Sequence, residues 1–217
     1  SDLARALKFA SLAELDLLTV DAAGGGTGMS PWRMMNEWGI PPVELHSLLY
    51  QYAARLDKKN MYVPDIAIAG GFSFEDQIIK GLSLGAPYFK MIGMARAPLA
   101  AAMVGKTLGT KIQKNELPVY VGRFGNTVED IFVTSPELKA EFGDRFKDIP
   151  TGALGLYTYT HRLAQGMRQL MCGSRKFNLD YISRDDLTAL TKEASEISGI
   201  PYVTETDEKE VTKILDA

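Results

Sequence analysis

Hydrophobic positions in the first hundred residues switch repeatedly between helical and strand spacing. Leu3, Leu7, Ala10 and Leu12 lie roughly along one side of a helix over residues 2–13. Leu15-Asp16-Leu17-Leu18-Thr19-Val20 then predicts a short buried strand. It ends in Asp21-Ala22-Ala23 and the loop Gly24-Gly25-Gly26-Thr27-Gly28-Met29-Ser30-Pro31. Helical spacing returns from about Pro42 to Leu56, through Leu45, Leu48, Leu49, Tyr52 and Leu56. Val63 to Ala69 predicts the next strand, followed by Gly70-Gly71-Phe72-Ser73. A helix is expected after Ser73, where Asp76 is placed as a variant of the capping box. Tyr88 to Ile92 predicts a third strand, ending at Gly93, and Ala97 to Leu108 a further helix.

Strand, loop and helix thus recur three times, and helical crossovers between strands imply a parallel sheet. The glycine-rich turns all follow the C-terminal ends of strands, where α/β proteins place their sites. The pattern changes near residue 110. Leu117 to Val121 predicts extended chain, and Ser135-Pro136-Glu137 a helix start with Pro at the first position. Helices are expected at 136–146, 152–171, 184–198 and 207–216, the third stopped by Gly199 and Pro201. Residues 1–110 therefore read as an α/β part and 111–217 as a mostly helical extension, with no solenoid repeat.

The chain has 217 residues, 46% of them hydrophobic and 24% charged, enough apolar material for a core. A net charge of −3 does not suggest a general nucleic-acid binder, which needs a basic face. The one cysteine, Cys172, allows no internal disulfide, iron–sulfur cluster or Cys-rich zinc site, and reads as a small buried hydrophobe. No signal peptide opens the sequence and no apolar run reaches the length of a membrane span, so a cytoplasmic location without a membrane or nucleic-acid partner is expected.

Two glycine turns carry the candidate chemistry. Ala67-Ile68-Ala69-Gly70-Gly71-Phe72 and Lys90-Met91-Ile92-Gly93-Met94-Ala95-Arg96 both run from a strand into a turn before a helix. Glycine lets a backbone approach a ligand, and free N–H groups at a helix start attract phosphate. In many (β/α)₈ enzymes the loops after strands seven and eight form a phosphate site. Gly70, Gly71, Gly93, Met94 and Arg96 are the candidate residues, with Arg96 adding charge. The alternative is that these glycines only make tight turns.

The stretch Val20 to Pro31, with its GGTGxSP loop, resembles the signature of the FMN-binding domain of the glutamate synthase family. Trp38-Gly39-Ile40-Pro41, the Gly70-Gly71 turn and Leu84-Gly85-Ala86…Gly93 follow in the order expected of that family. The resemblance covers about residues 1–108 and continues more loosely from Ile149-Pro150-Thr151-Gly152 onward. It implies an FMN-dependent (β/α)₈ barrel, in which an imine of 2-oxoglutarate and ammonia is reduced by hydride from the flavin. By position, Gly70, Gly71, Gly93, Met94 and Arg96 would meet the FMN phosphate. Gly25, Gly26, Thr27 and Ser30 would border the flavin and substrate pocket.

A whole barrel takes roughly 250 residues and eight strands. The three strands here would be the sixth, seventh and eighth, so the fold expected is a partial barrel with a helical extension. The isolated 217 residues are expected to lack turnover. The iron–sulfur cysteines and the glutaminase domain of the large family members are not in this sequence. Two other readings stay open: another phosphate-binding barrel enzyme of the FMN or IMP kind, disfavoured by the GGTGxSP loop, and a non-catalytic structural or interaction module.

Outside these turns, His46 among apolar neighbours reads as structural or surface, and His161 has no partner at metal or triad spacing. Asp21 stands at a strand end, either facing the pocket or capping the loop. Ile66, Ile68, Met91 and Leu18 are expected to avoid water. Three strands with two open edges predict a homo-oligomer, or a barrel completed by residues before Ser1.

Overall fold

The computed structural model describes residues 1–26 and 29–217, which pack as two compact units. The first comprises 1–72, 76–93 and 170–217, and the second 73–75 and 94–169. The division near residue 110 expected from the sequence follows the change of pattern, whereas these units follow packing.

The first unit is built on helix α1 (Asp2–Leu12), strand β1 (Leu17–Asp21), the short α2 (Trp32–Asn36), α3 (Pro42–Asp57), β2 (Asp65–Ala69), α4 (Glu75–Gly85) and β3 (Phe89–Gly93). The strands form a parallel sheet in the order β1-β2-β3, within a mixed α/β fold. Alternation across the strands decides what is buried. Ile66, Ile68 and Phe89 pack with Leu7 of α1 and Leu49 and Ala53 of α3, and Leu18, Val20 and Ile92 lie against this cluster. Helix α4 can lie close because its facing positions are glycines. A Cβ on Gly81 would stand 2.9 Å from the Phe72 ring and 3.1 Å from Ile68, and one on Gly85 would run into the ring of Phe89.

Met91 departs from expectation: it is 44% exposed. It is the register partner of Ala67, which in turn pairs with Thr19, so these three residues share the sheet face opposite the helical core. Leu17, at 43%, is exposed as well.

The tail of the first unit is pinned by side chains rather than by long elements. The expected helix 184–198 shrinks to α10 (Lys192–Ser198), preceded by one 3₁₀ turn at Arg184–Asp186. The cause is local. Ser183 and Asp186 cap each other, Asp186 also pairs with Lys176 at 2.7 Å, and Ala189 forms a bridge with Tyr202. Arg184 points inward, its guanidinium 3.9 Å from the centroid of Tyr50 and donating to the carbonyls of Leu84 and Ser198. Gly199 ends α10 with φ of 69°, as its sequence position predicts. The last helix, α11, spans Glu208–Leu215.

The second unit contains α5 (Arg96–Lys114), α6 (Val119–Gly122), α7 (Val128–Ile131), α8 (Ser135–Phe142), a 3₁₀ segment Gly143–Asp148 and most of α9 (Thr151–Gly173). Helices α5 and α9 touch backbone to backbone: a Cβ on Gly105 would stand 2.9 Å from the Cα of Gly155. Phe132, Leu138, Phe146 and Leu154 form the core beside them. The extended segment expected at Leu117–Val121 is instead a helical turn after Pro118. Val119 is 93% exposed there, with no strand among the unit's described residues to pair with. Among the described residues no helix is long and apolar enough to cross a membrane.

Candidate functional site

The three strands of the first unit end level with one another. Asp21 pairs with Ala69, and Ala69 pairs with Gly93. The Ala22 N–H donates to the Ala69 carbonyl at 2.9 Å and carries the ladder one step further. Beyond this line the chain turns sharply at Gly70 (φ 116°) and Gly71 (φ 81°), conformations that L side chains rarely adopt.

The glycines at these strand ends serve different purposes. A Cβ on Gly70 would stand 2.8 Å from the Ala22 carbonyl oxygen, and one on Gly93 2.9 Å from the Ala69 Cβ. Both positions are glycine because neighbouring strand ends crowd them. Among the described residues nothing lies within 4 Å of the Gly71 Cβ position, so its backbone borders open space there. Two residues span at most about 7 Å and paired parallel strands lie about 4.8 Å apart, which bounds Gly71 to within about 12 Å of Gly93.

The loop after β1 is held by the Trp38-Gly39-Ile40 element. Ala23 N–H donates to the Ile40 carbonyl at 2.8 Å, and Gly24 N–H to the Met35 carbonyl at 2.7 Å. Gly39 leaves no room for a side chain, since its Cβ would lie 2.8 Å from the Ala23 Cα. These contacts give the two sequence motifs one structural purpose. The Asp21 carboxylate lies over Gly25, where a Cβ would collide with it. Gly26 (φ 129°) is crowded by Met35, and Ser30 stands beside it. Thr27 lies outside the described residues.

The structure thus brings Gly25, Gly26, Ser30, Gly70, Gly71 and Gly93 into one unit. Met94 and Arg96 belong to the second unit, where Met94 is half-buried and Arg96 is the exposed first residue of α5. Cys172, expected to be buried, is exposed near the C-terminal end of α9.

Of the two places expected for His46, structural or surface, the structure shows the structural one. It is 1% exposed, on α3 beneath the Gly70–Gly71 turn. Its ring stacks on Phe72 at 5.9 Å and 14°, and meets Phe89 edge-on at 6.0 Å. Burial pushes its pKa down to about 4, against an opposing hydrogen bond with the Ala69 backbone, so the ring is neutral near pH 7. Its Nε2 has no hydrogen-bond partner among the described residues. A cavity of about 250 Å³ lies here, lined by His46, Gly70, Gly71, Phe72, Lys80 and Leu84. Lys80 is held by Asp76 at 2.8 Å, and that bond lowers the Asp76 pKa. The signal in the sequence was the position of His46 three and seven residues before Leu49 and Ala53, on the core-facing stripe. Among the described residues no group of three or more His, Cys, Asp or Glu is placed to hold a metal ion.

A parallel α/β sheet with clustered glycine turns at its carboxyl ends is the arrangement in which open-sheet and barrel enzymes bind ligands. Residues 3–105 match the family model described as the conserved region in glutamate synthase. That match covers just under half of the chain and is a likeness to the glutamate synthase family over that stretch. Neither the curated proteins nor the solved structures give a match to this chain.

Proposed function

We propose that this chain is part of an FMN-dependent oxidoreductase of the glutamate synthase type, and that its strand ends hold the FMN phosphate. The sheet would be the closing segment of a (β/α)₈ barrel. The observation that carries this reading is the backbone of Gly71, which turns at positive φ into space that no side chain of the described residues fills. Such a turn fits an anion's oxygens. Gly93 ends the neighbouring strand, within the bound derived above, and completes the grip. The likeness to the glutamate synthase family favours FMN as the source of that anion, since FMN carries one phosphate.

When bound, FMN supplies the hydride that reduces an imine of 2-oxoglutarate and ammonia. The residues of this chain bind and orient it. The Gly25–Gly26 loop and Ser30, fixed by Gly39 and Ile40, border the substrate side.

The test is titration of isotopically labelled chain with FMN and separately with inorganic phosphate, followed by amide NMR. The expected result is saturable shifts centred on Gly70, Gly71 and Gly93 with both ligands. Shifts confined to other residues, or none at millimolar ligand, overturn the reading.

A further inference from the structure

A second pocket lies wholly within the second unit, between α9 and the segment 73–75. Its volume is about 490 Å³, and Phe74, Glu75, Arg162, Gln165 and Gln169 line it. Glu75 lies across α9 at Gly166, where a Cβ would stand 2.5 Å from the Glu75 Cγ and 2.9 Å from its Oε1. Glycine is a poor helix former, yet Gly166 sits inside a helix of 23 residues. What it provides is room for the Glu75 carboxylate against the helix. Tyr159, two turns earlier, pins the same segment by donating its hydroxyl to the Ser73 carbonyl at 2.7 Å.

Arg162 stands one turn before Gly166 on the same side of α9. Glu75 and Arg162 thus bring opposite charges to one pocket. They are not paired with each other, and neither makes an ion pair or a side-chain hydrogen bond with any other described residue. Elsewhere opposite charges that share a pocket do pair, as Lys80 does with Asp76 and Lys176 with Asp186. The amides of Gln165 and Gln169 are neutral and compensate neither charge. The pocket therefore presents a carboxylate and a guanidinium with open space between them.

We propose that this pocket binds a small zwitterion, with its ammonium on Glu75 and its carboxylate on Arg162. A singly charged ligand would leave one of the two side chains uncompensated, and a neutral ligand both. The planar guanidinium matches a carboxylate with two parallel hydrogen bonds. Phe74, 60% exposed, offers its ring to the apolar part of the ligand. Small-molecule pockets run from about 300 to 1,000 Å³, and this one has room for a molecule of dipeptide size.

The test is titration of the full, isotopically labelled chain with glycylglycine, and in parallel with its N-acetylated and its C-amidated forms, followed by amide NMR. Saturable shifts centred on Glu75, Gln165 and Gly166 are expected with glycylglycine. Each blocked form should bind about tenfold more weakly, the scale of one charge-assisted hydrogen bond. Glu75→Gln is expected to lose the preference for the free ammonium and keep that for the free carboxylate, and Arg162→Gln to do the reverse. Gly166→Ala, which favours the helix but pushes the Glu75 carboxylate aside, should melt at or above the wild-type temperature and still bind glycylglycine more weakly. A merely structural Glu75 would not separate melting from binding in this way. Blocked forms that bind the wild type as tightly as glycylglycine overturn the proposal. So does the absence of saturable shifts at these residues at tens of millimolar glycylglycine, which would mean that Glu75 and Arg162 satisfy each other in solution.

Discussion

Ala69 and Gly93 are register partners across β2 and β3, and a methyl group on Gly93 would stand 2.9 Å from the Ala69 Cβ. The strand ends are therefore spaced by what these two residues lack. Gly93→Ala is expected to destabilise the chain by about 1–3 kcal/mol, the usual cost of overpacking a fitted contact. Ala69→Gly in the same chain removes the opposing methyl, so thermal denaturation of the double variant should recover part of the loss. Simple additivity of the two single effects would show that the contact is not the cause.

Gly71 behaves differently, because nothing among the described residues lies within 4 Å of its Cβ position. Gly71→Ala meets no neighbour and strains only the backbone at φ 81°, a cost on the order of 1 kcal/mol. The methyl also enters the space assigned to phosphate. The expected outcome is a small fall in melting temperature with a fall in FMN affinity of about tenfold or more, the equivalent of at least one good hydrogen bond. Equal FMN affinity in wild type and variant would remove Gly71 from the site.

Much of this was legible because strands and glycine turns are local signals. Val63 to Ala69 and Tyr88 to Ile92 are short apolar runs bounded by glycine, and β2 and β3 fall there to within two residues. The pairing of the GGTGxSP loop with Trp38-Gly39-Ile40 was legible as order but not as contact. Only the fold shows Ala23 donating to Ile40. The helix expected over 184–198 does not form in full because Ser183 and Asp186 close a 3₁₀ turn on each other and Arg184 donates to Leu84, 100 residues away. Met91 was misjudged for a similar reason. Its face depends on pairing with Ala67, and a register cannot be read from one strand alone.

Lys176 and Asp186 form the least exposed ion pair among the described residues, 2.7 Å apart with side chains 23% and 12% exposed. Asp186 also accepts from the Ser183 backbone N–H at 2.8 Å. Removing one partner leaves the other charge largely desolvated, which for fully buried pairs costs about 3–5 kcal/mol; partial exposure reduces this to roughly 2–3 kcal/mol. Asp186→Ala is expected to lower stability by that amount. It should also raise protease sensitivity between residues 174 and 190. Replacing both residues with apolar ones, Lys176→Met with Asp186→Leu, should cost less than Asp186→Ala alone. If the double variant is the less stable of the two in urea denaturation, the pair contributes net stability instead.

His46 makes stability depend on pH with a definite sign. Its pKa is about 4 in the folded chain and near 6.5 when exposed, so between these values the unfolded chain binds the extra proton. Stability from this group is fully present above about pH 6.5, declines as pH falls toward 4, and is level below that. The full difference is on the order of 3 kcal/mol. Carboxylates of the unfolded chain take up protons toward the lower end of this range too, so wild type alone does not isolate the histidine. The comparison with His46→Phe does, because the other groups are common to both. The difference in unfolding free energy, variant minus wild type, should be near zero or slightly positive at pH 7.5 and should rise by about 2 kcal/mol by pH 4.5, most of the span between the two pKa values. A difference that is flat from pH 7.5 to 4.5 would mean that His46 titrates alike in both states, and hence that the ring reaches water in solution.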